Sequence, residues 1–245
     1  MTNLEAKQHL ARKLDIDYSD IANNGLFSET DLQTFIQLGV IKAWDLHPWP
    51  FTQGKATGNT DNTGVTNGYY THPSSLVNGS IFLLRVDGKE YKKLDFQDYL
   101  KLLEDYPSAT ERVYSEWQNL VYINKNSYTV GQGYEMYGKG FPITLSGAND
   151  LLPFSPTTDN TEYSGNEAIV LLAYAEALDS DKKEQPEQAE VERKKAYQTL
   201  NILWEPFAKQ KALMQSKGRP MFNVPNYFGM NKNGSKFIGN FDYLN

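Results

Sequence analysis

The residue types that carry enzyme chemistry are few in this chain, and their spacing does not bring them together. The 245 residues include no cysteine, which excludes disulfides, thiolate zinc sites and cysteine nucleophiles. The three histidines, His9, His47 and His72, are too scattered to indicate a metal cluster. Asp45 and His47 are two residues apart, and on a helix this spacing places them on different faces, so no catalytic dyad is indicated. We therefore expect a protein that is not an enzyme and that uses no cofactor and no metal.

The segment GQGYEMYGKG, at 131–140, superficially resembles a glycine-rich nucleotide loop. It lacks the third glycine at the required spacing, and no helical pattern follows it, so hairpin turns are the preferred interpretation. Motifs for a P-loop, a nucleophile elbow, a zinc protease or an EF-hand do not occur. Adjacent carboxylates such as Glu104 and Asp105 favour a solvated acidic face, and no spacing favours a hydrolase.

Composition and charge indicate a folded, mildly acidic protein. The chain is 40% hydrophobic, which supports a substantial core, and its formal net charge is −6. This charge argues against binding nucleic acid through a generally basic face, but it is compatible with DNA that passes through an acidic pore. No run approaches the ~20 apolar residues of a membrane helix, and the N-terminal segment is charged throughout. We expect a soluble protein that is not secreted and does not contact a membrane.

A helix over 28–47 is the element that must position its neighbours. Ser28 is a suitable N-cap, and a proline at position 48 discourages helical geometry at His47. Two large aromatic residues, Trp49 and Phe51, follow the helix in a segment whose backbone is restricted by the prolines at 48 and 50. The apolar side chains recur at three- and four-residue steps and predict one buried stripe: Leu32, Phe35, Ile36, Gly39, Val40, Ala43 and Leu46.

The segments around this helix predict a short helix, a loop and a sheet. Residues 4–14 predict an amphipathic helix. Residues 52–80 are rich in Gly, Asn, Thr and Ser and predict a long polar loop. Residues 81–145 predict a small antiparallel sheet with one inserted helix, in which Asp87 and Gly88 form the turn of a tight hairpin.

The second half of the chain predicts two long helices. Residues 164–179 are apolar on most sides, as in a buried core helix, and residues 187–217 form a longer, charged helix that Pro206 should kink or split. The predicted fold class is therefore α+β. We expect a helical bundle, made of the N-terminal helix and the two long C-terminal helices, with an inserted small antiparallel sheet, all in one domain over 1–217.

Residues 218–245 predict an extended C-terminal arm that lies on another surface, either of its own domain or of a neighbouring subunit. A solvated tail would normally lack the aromatic residues that this arm contains. Together with Trp49 and Phe51, the arm's aromatic residues are the candidate protein-interaction residues: Phe222, Tyr227, Phe228, Phe237, Phe241 and Tyr243.

The order of these elements resembles that of the head-to-tail connector (adaptor) proteins of tailed bacteriophages. A helix that ends in Trp49-Pro50-Phe51 leads into a sheet, Leu152-Pro153 precedes a helix with the sequence EAIVLLAYAEAL, and a long charged helix comes last. The likeness covers roughly residues 28–217.

The resemblance implies a structural virion protein that forms a ring between the portal and the tail, with a central channel for DNA. The implied partners are further copies of the chain, expected as a dodecamer, together with the portal protein and a downstream tail or neck protein. DNA would pass without sequence-specific binding. The implied location is the neck of the virion, and the host cytoplasm before assembly.

A carbohydrate-binding or tail-fibre-like module is the alternative. It would explain the aromatic strands and polar loops, but such a module should consist mostly of β-structure, and the two C-terminal helices argue against it.

Overall fold

A computed structural model describes residues 1–23, 25–155 and 161–216, apart from the side chains of 161–162 and 210–216. The chain forms two compact units. The helical unit comprises Met1–Trp49 and Pro142–Gln210, and the sheet unit is built on Pro50–Phe141. The sheet unit therefore interrupts the helical unit in sequence.

The elements of the described residues follow in chain order. The helices are α1 (Asn3–Lys13), α2 (Glu29–Leu46), α3 (Asn62–Asn67), α4 (Phe96–Asp105), α5 (Thr161–Asp179) and α6 (Pro186–Ser216). The strands are β1 (Gln53–Asn59), β2 (Tyr69–Thr71), β3 (Leu83–Val86), β4 (Lys89–Lys93), β5 (Val113–Trp117), β6 (Leu120–Ile123) and β7 (Gly133–Lys139). None of the described helices has the length and apolar composition needed to cross a membrane.

The helix predicted over 28–47 is confirmed as α2, and its ends have the predicted chemistry. The Ser28 hydroxyl accepts a hydrogen bond from the Asp31 N–H at 3.2 Å, while the Asp31 carboxylate accepts one from the Ser28 N–H at 2.7 Å, which forms a capping box. Hydrogen bonds from Lys182 and from Ser28 lower the pKa of Asp31 to about 2. At the other end His47 is extended, with φ at −137°, as expected for a residue before proline.

The backbones of α2 and α5 meet closely at Gly39. A Cβ placed there would lie 2.5 Å from the Ile169 carbonyl oxygen and 3.2 Å from the Ala173 nitrogen. Only a residue without a side chain fits this contact unless the two helices move apart. The flanking α2 residues are buried against the core of the helical unit, as the predicted stripe requires: Leu32, Ile36, Val40 and Ala43. The two predicted C-terminal helices correspond to α5 and α6, and α6 continues through Pro206 as one helix.

The predicted fold class, a helical bundle with an inserted small sheet, is wrong. The sheet is not a small antiparallel insertion in a helical bundle but a seven-stranded, mixed, curled sheet that forms a half-barrel. Its strand order is β1-β7-β3-β4-β5-β6-β2, and β4 and β5 are parallel. The parallel pair is possible because α4 crosses between the two strands, and the curl encloses an apolar core of its own.

The long polar loop predicted over 52–80 instead contains β1, α3 and β2. Glycines explain why its composition did not resemble strands. A Cβ at Gly58 would lie 2.4 Å from the Tyr134 hydroxyl oxygen, and one at Gly54 would lie 2.8 Å from a Leu76 methyl group. Because large side chains from neighbouring segments fill these places, β1 has none of the alternating aliphatic residues by which a strand is usually recognised.

The predicted hairpin and its following helix are confirmed. Asp87 and Gly88 have φ values of 51° and 69°, as a type I′ turn requires, and they join β3 to β4. The Asp95 carboxylate accepts a hydrogen bond from the Gln97 N–H at 3.1 Å and caps α4.

Replacement of Gly39 with alanine tests the α2–α5 contact. Alanine favours a helix over glycine by about 1 kcal/mol, but overpacking at a rigid backbone contact costs about 1–3 kcal/mol. We expect Gly39→Ala to lower the free energy of unfolding by about 1 kcal/mol in chemical denaturation. Thr34→Ala, at an exposed position of α2, is the control and should change it little. A Gly39→Ala chain more stable than the parent by about 1 kcal/mol, the full helix-propensity gain, would show that the helices do not touch here.

Candidate protein-interaction surface

Trp49, a candidate interaction residue, belongs to the core of the helical unit. It is 1% exposed, and its indole N–H donates to the Ala43 carbonyl at 2.9 Å. Its ring meets Phe154 and Trp204 edge to face, with centroids 5.1 and 5.5 Å away. Trp49 therefore fixes the exit of α2 against α6 and presents no ring face at the surface of the described structure.

His47 belongs to the same aromatic group. Its ring stacks on Trp204 at 5.2 Å, and its Nε2 lies 2.8 Å from the Asn201 amide oxygen. Burial lowers the pKa of His47, against the opposing effect of the hydrogen bond to Asn201. A neutral imidazole that carries its hydrogen on Nε2 fits this geometry, because an amide oxygen can only accept.

The other candidate residues are placed differently. Phe51 is half-buried in a short 3₁₀ segment, Pro50–Thr52, at the start of the sheet unit. The six aromatic residues of the predicted arm lie outside the described residues: Phe222, Tyr227, Phe228, Phe237, Phe241 and Tyr243.

The outer face of the sheet unit carries an aromatic surface that the sequence analysis did not single out. We define it by five residues of α4, β5, β6 and β2: Tyr69, Phe96, Leu100, Trp117 and Tyr122. Phe96 stacks on Trp117 with centroids 5.0 Å apart and rings 3° from parallel, and its ring lies 4.9 Å from that of Tyr122. Tyr69 reaches Tyr122 from the other side at 5.6 Å.

This aromatic surface remains accessible because α4 covers only part of the sheet. Alternate residues of a strand point to opposite faces, so Tyr114 enters the core while Trp117 points outward. Trp117 is 46% exposed, Leu100 is 43% exposed and Tyr69 is 37% exposed. Contiguous large apolar side chains at a surface are typical of a protein contact rather than of an isolated monomer.

The rim of the aromatic surface is acidic. Helix α4 and its cap carry four carboxylates, Asp95, Asp98, Glu104 and Asp105, against the single cation Lys101. An apolar centre with a charged rim is the usual arrangement of a protein interface. The chemistry fits a partner surface with an apolar centre and a basic rim.

A signal for this surface was present in the sequence. The runs RVYSEWQ and NLVYIN place large apolar residues on both faces of their strands, whereas a strand with one solvated face alternates apolar and polar residues. Helix α4 likewise has several large apolar residues in its stripe, but of these it fully buries only Tyr99.

A buried ionic network lies on the inner side of the same strands. The Glu116 carboxylate accepts from His72 Nε2 at 3.0 Å and pairs with the Lys93 ammonium, which also donates to the Ile81 carbonyl at 2.8 Å. The side chains of His72 and Glu116 are each 2% exposed. A histidine beside a carboxylate can transfer protons in an active site, but burial this deep leaves no space for a substrate. The network therefore holds the connection between β2 and β3 against the sheet.

The charge of Glu116 is favoured by its partners. Burial raises the pKa of Glu116, but the hydrogen bond from His72 and the charge of Lys93 outweigh burial, and the net effect lowers this pKa. A folded-state pKa below the unfolded value contributes stability that is present above the unfolded value, about 4.3, and is lost as the pH falls through the folded value.

Replacement of Glu116 with glutamine tests this network. The change leaves Lys93 half-buried without its counter-ion, so we expect the free energy of unfolding at pH 7 to fall by about 2–4 kcal/mol. The loss of stability between pH 5 and pH 3 should also be smaller than in the parent chain. Glu111→Gln, at an exposed position, should change neither quantity in denaturant melts. Equal stability of Glu116→Gln and the parent would contradict a structural role for the network.

The described sheet unit thus joins an exposed aromatic surface to a buried ionic network that stiffens it from within. The aromatic surface is suited to binding another protein, and the network is suited to holding the strands that carry this surface. Neither a scan of protein-family models nor a search of curated proteins finds a match to this chain.

Proposed function

We propose that the protein is a structural component of a tailed-bacteriophage virion, a head-to-tail connector whose copies form a ring between the portal and the tail. The aromatic surface of the sheet unit carries this proposal, because Trp117, Leu100 and Tyr69 are each more than a third exposed. The rings of Phe96 and Tyr122 connect Trp117 to Tyr69, and the helix that contributes Leu100 is acidic. The order of the elements supports it, since an aromatic exit from α2, an inserted sheet unit, Leu152-Pro153, α5 and α6 follow one another as in the connectors that the chain resembles.

A ring subunit needs several interaction surfaces at once. It contacts a neighbour on each side through two different patches, and it also contacts the rings above and below. The partners in this proposal are further copies of the chain, the portal protein and a downstream tail or neck protein. DNA passes through the channel without sequence-specific binding, which suits a net charge of −6. The protein would assemble in the host cytoplasm and remain in the neck of the virion.

A carbohydrate-binding module is the second candidate, and the same exposed rings favour it. Trp117 and Tyr69 could stack on sugar rings, which are recognised through aromatic faces. The acidic rim and the large helical unit are less typical of such a module. Binding of the full chain to a glycan array, lost in Trp117→Ala, would favour this candidate over the connector.

Electron microscopy of the purified full chain tests the proposal. We expect negative-stain images to show rings, either of the chain alone or on the portal protein encoded by the same genome. Trp117→Ala should weaken ring formation or portal binding at least tenfold in light scattering, with an unchanged melting temperature, because it removes the most exposed ring of the aromatic surface. Val130→Ala, at an exposed apolar position before β7, is the matched control. A chain that stays monomeric both alone and with the portal protein would contradict the proposal.

A further inference from the structure

Strand β1 forms a free edge of the sheet. Among the described residues it pairs with β7 alone, over all seven of its positions, whereas the opposite edge strand, β2, has only three residues. Proteins usually protect an edge with a short strand, a proline or charged side chains. Strand β1 is long and has no proline, and its one charged residue, Lys55, is paired with the Glu135 carboxylate at 2.6 Å. A further strand can therefore extend the sheet at β1.

The backbone of β1 directs half of its hydrogen-bonding groups away from the sheet. Thr60, directly after β1, donates to the Gln132 carbonyl and accepts from the Gly131 N–H, each at 2.8 Å, and Thr52, directly before β1, accepts from the Gly140 N–H at 2.8 Å. Alternate residues of an antiparallel strand bond to the same neighbour, so the even-numbered residues of β1 face β7. The odd-numbered residues direct their N–H and carbonyl groups outward, where no described residue pairs with them: Gln53, Lys55, Thr57 and Asn59.

The core side of β1 is already filled by side chains from other segments. A Cβ at Gly54 would lie 2.8 Å from a Leu76 methyl group, and one at Gly58 would lie 2.4 Å from the Tyr134 hydroxyl oxygen. Between the two glycines, Ala56 packs against the apolar core. A strand that pairs with this edge must therefore have small residues on the core side.

The sequence of β1 meets this requirement itself. An antiparallel second copy of β1 would present only glycine and alanine on the core side, at positions 54, 56 and 58. On the other side both copies would present the polar side chains of Lys55 and Thr57. The edge is thus self-complementary in size and in polarity.

We propose that β1 of one copy pairs antiparallel with β1 of a second copy across a two-fold axis at Ala56, so that one sheet continues through both molecules. In this register Ala56 lies opposite the partner's Ala56, Gly54 opposite the partner's Gly58, and Lys55 opposite the partner's Thr57. All seven residues of β1 take part. Each outward-facing residue meets another outward-facing residue, so their backbone groups exchange hydrogen bonds.

Charge and length select this register among those that join outward-facing residues. A two-fold axis at Lys55 would place the two Lys55 side chains directly opposite each other, and like charges in such a pair are destabilising. An axis at Thr57 would leave Gln53 and Gly54 without a partner residue in β1. With the axis at Ala56, Lys55 keeps its ion pair with Glu135 and lies opposite an uncharged threonine.

This inference goes beyond the proposed function and does not depend on it. Strands β1 and β2 are the two opposite edges of the sheet, and the aromatic surface lies on α4, β5, β6 and β2. Pairing through β1 therefore leaves the aromatic surface free for another contact. A two-fold contact joins copies in pairs, whereas a ring requires head-to-tail contacts.

Cysteine cross-linking of the full chain tests the pairing directly, because the chain has no native cysteine. In the proposed register the Cα atoms of Ala56 and the partner's Ala56 lie about 4.5 Å apart, which a disulfide can span. We expect Ala56→Cys to give a covalent dimer on a non-reducing gel after mild oxidation.

The matched control is Ala109→Cys. Ala109 is also a half-buried alanine, and it lies before β5, away from the β1 edge. The pairing is supported if Ala56→Cys forms at least tenfold more covalent dimer than Ala109→Cys. Equal yields, or no dimer from an Ala56→Cys chain whose circular dichroism matches the parent, would overturn it.

A proline variant tests the same contact without a cross-link. Thr57→Pro removes an outward-facing N–H and leaves the bonds to β7 intact, and proline is tolerated in this position of an edge strand. Sedimentation equilibrium is measured in a Trp117→Ala background, so that contacts through the aromatic surface do not contribute. We expect Trp117→Ala to dimerise, and the added Thr57→Pro to raise the dissociation constant at least tenfold.

Folding is checked at concentrations where the parent is monomeric. There Thr57→Pro should leave the melting temperature unchanged, whereas Ala56→Pro, whose N–H faces β7, should lower it. A Trp117→Ala chain that stays monomeric up to its highest soluble concentration would overturn the pairing. A dimer whose dissociation constant Thr57→Pro does not change would also overturn it.

The outcomes separate this inference from the proposed function. Dimers cross-linked at position 56 that never assemble into rings, alone or on the portal protein, would support the pairing and contradict the connector. Rings of Ala56→Cys in negative stain that form no disulfide would overturn the pairing and leave the connector proposal standing.

Discussion

The packing of the helical unit depends on Gly39, a residue that has no side chain. At Gly39 the backbone of α2 comes so near to α5 that a Cβ would lie 2.5 Å from the Ile169 carbonyl. This contact sets the spacing of the two helices, and that spacing allows Ile36 and Val40 to be fully buried. The same device recurs in the sheet unit, where Gly54 and Gly58 admit Leu76 and Tyr134 against β1. In both units a glycine lets a neighbour occupy the volume that its own side chain would fill.

Tryptophan is used in two opposite ways in this chain. Trp49 is enclosed by rings on several sides, and its indole N–H donates to a backbone carbonyl. Its apolar surface therefore stabilises the subunit itself. Trp117 is stacked by Phe96 yet remains 46% exposed. The sequence analysis selected Trp49 because of its neighbours Pro48 and Pro50. The exposed ring that suits a partner was instead in β5, a strand with large apolar residues on both of its faces.

Local chemistry was predictable from the sequence, and long-range pairing was not. Caps and turns depend on residues a few positions apart, so Ser28 identified the start of α2, and Asp87 with Gly88 identified the β3–β4 hairpin. The Glu116 network joins residues 23 and 44 positions apart, and it has no sequence signature. Strand β1 was missed because its glycines and threonine resemble a loop until β7 is beside them, and β2 was missed because it has only three residues. The aromatic surface required knowing which face of β5 the helix α4 leaves uncovered.

The division of the helical unit has a consequence for the newly made chain. Thr161, where α5 begins, follows Leu46, where α2 ends, by 115 positions, so at 5–20 residues per second α2 waits roughly 6–23 s for its partner helix. The last described strand of the sheet unit, β7, ends at Lys139, so all of the described strands are synthesised before α5 can cover the apolar stripe of α2. On the ribosome the sheet unit can therefore fold first, and the helical unit, although the chain begins with it, completes its folding last.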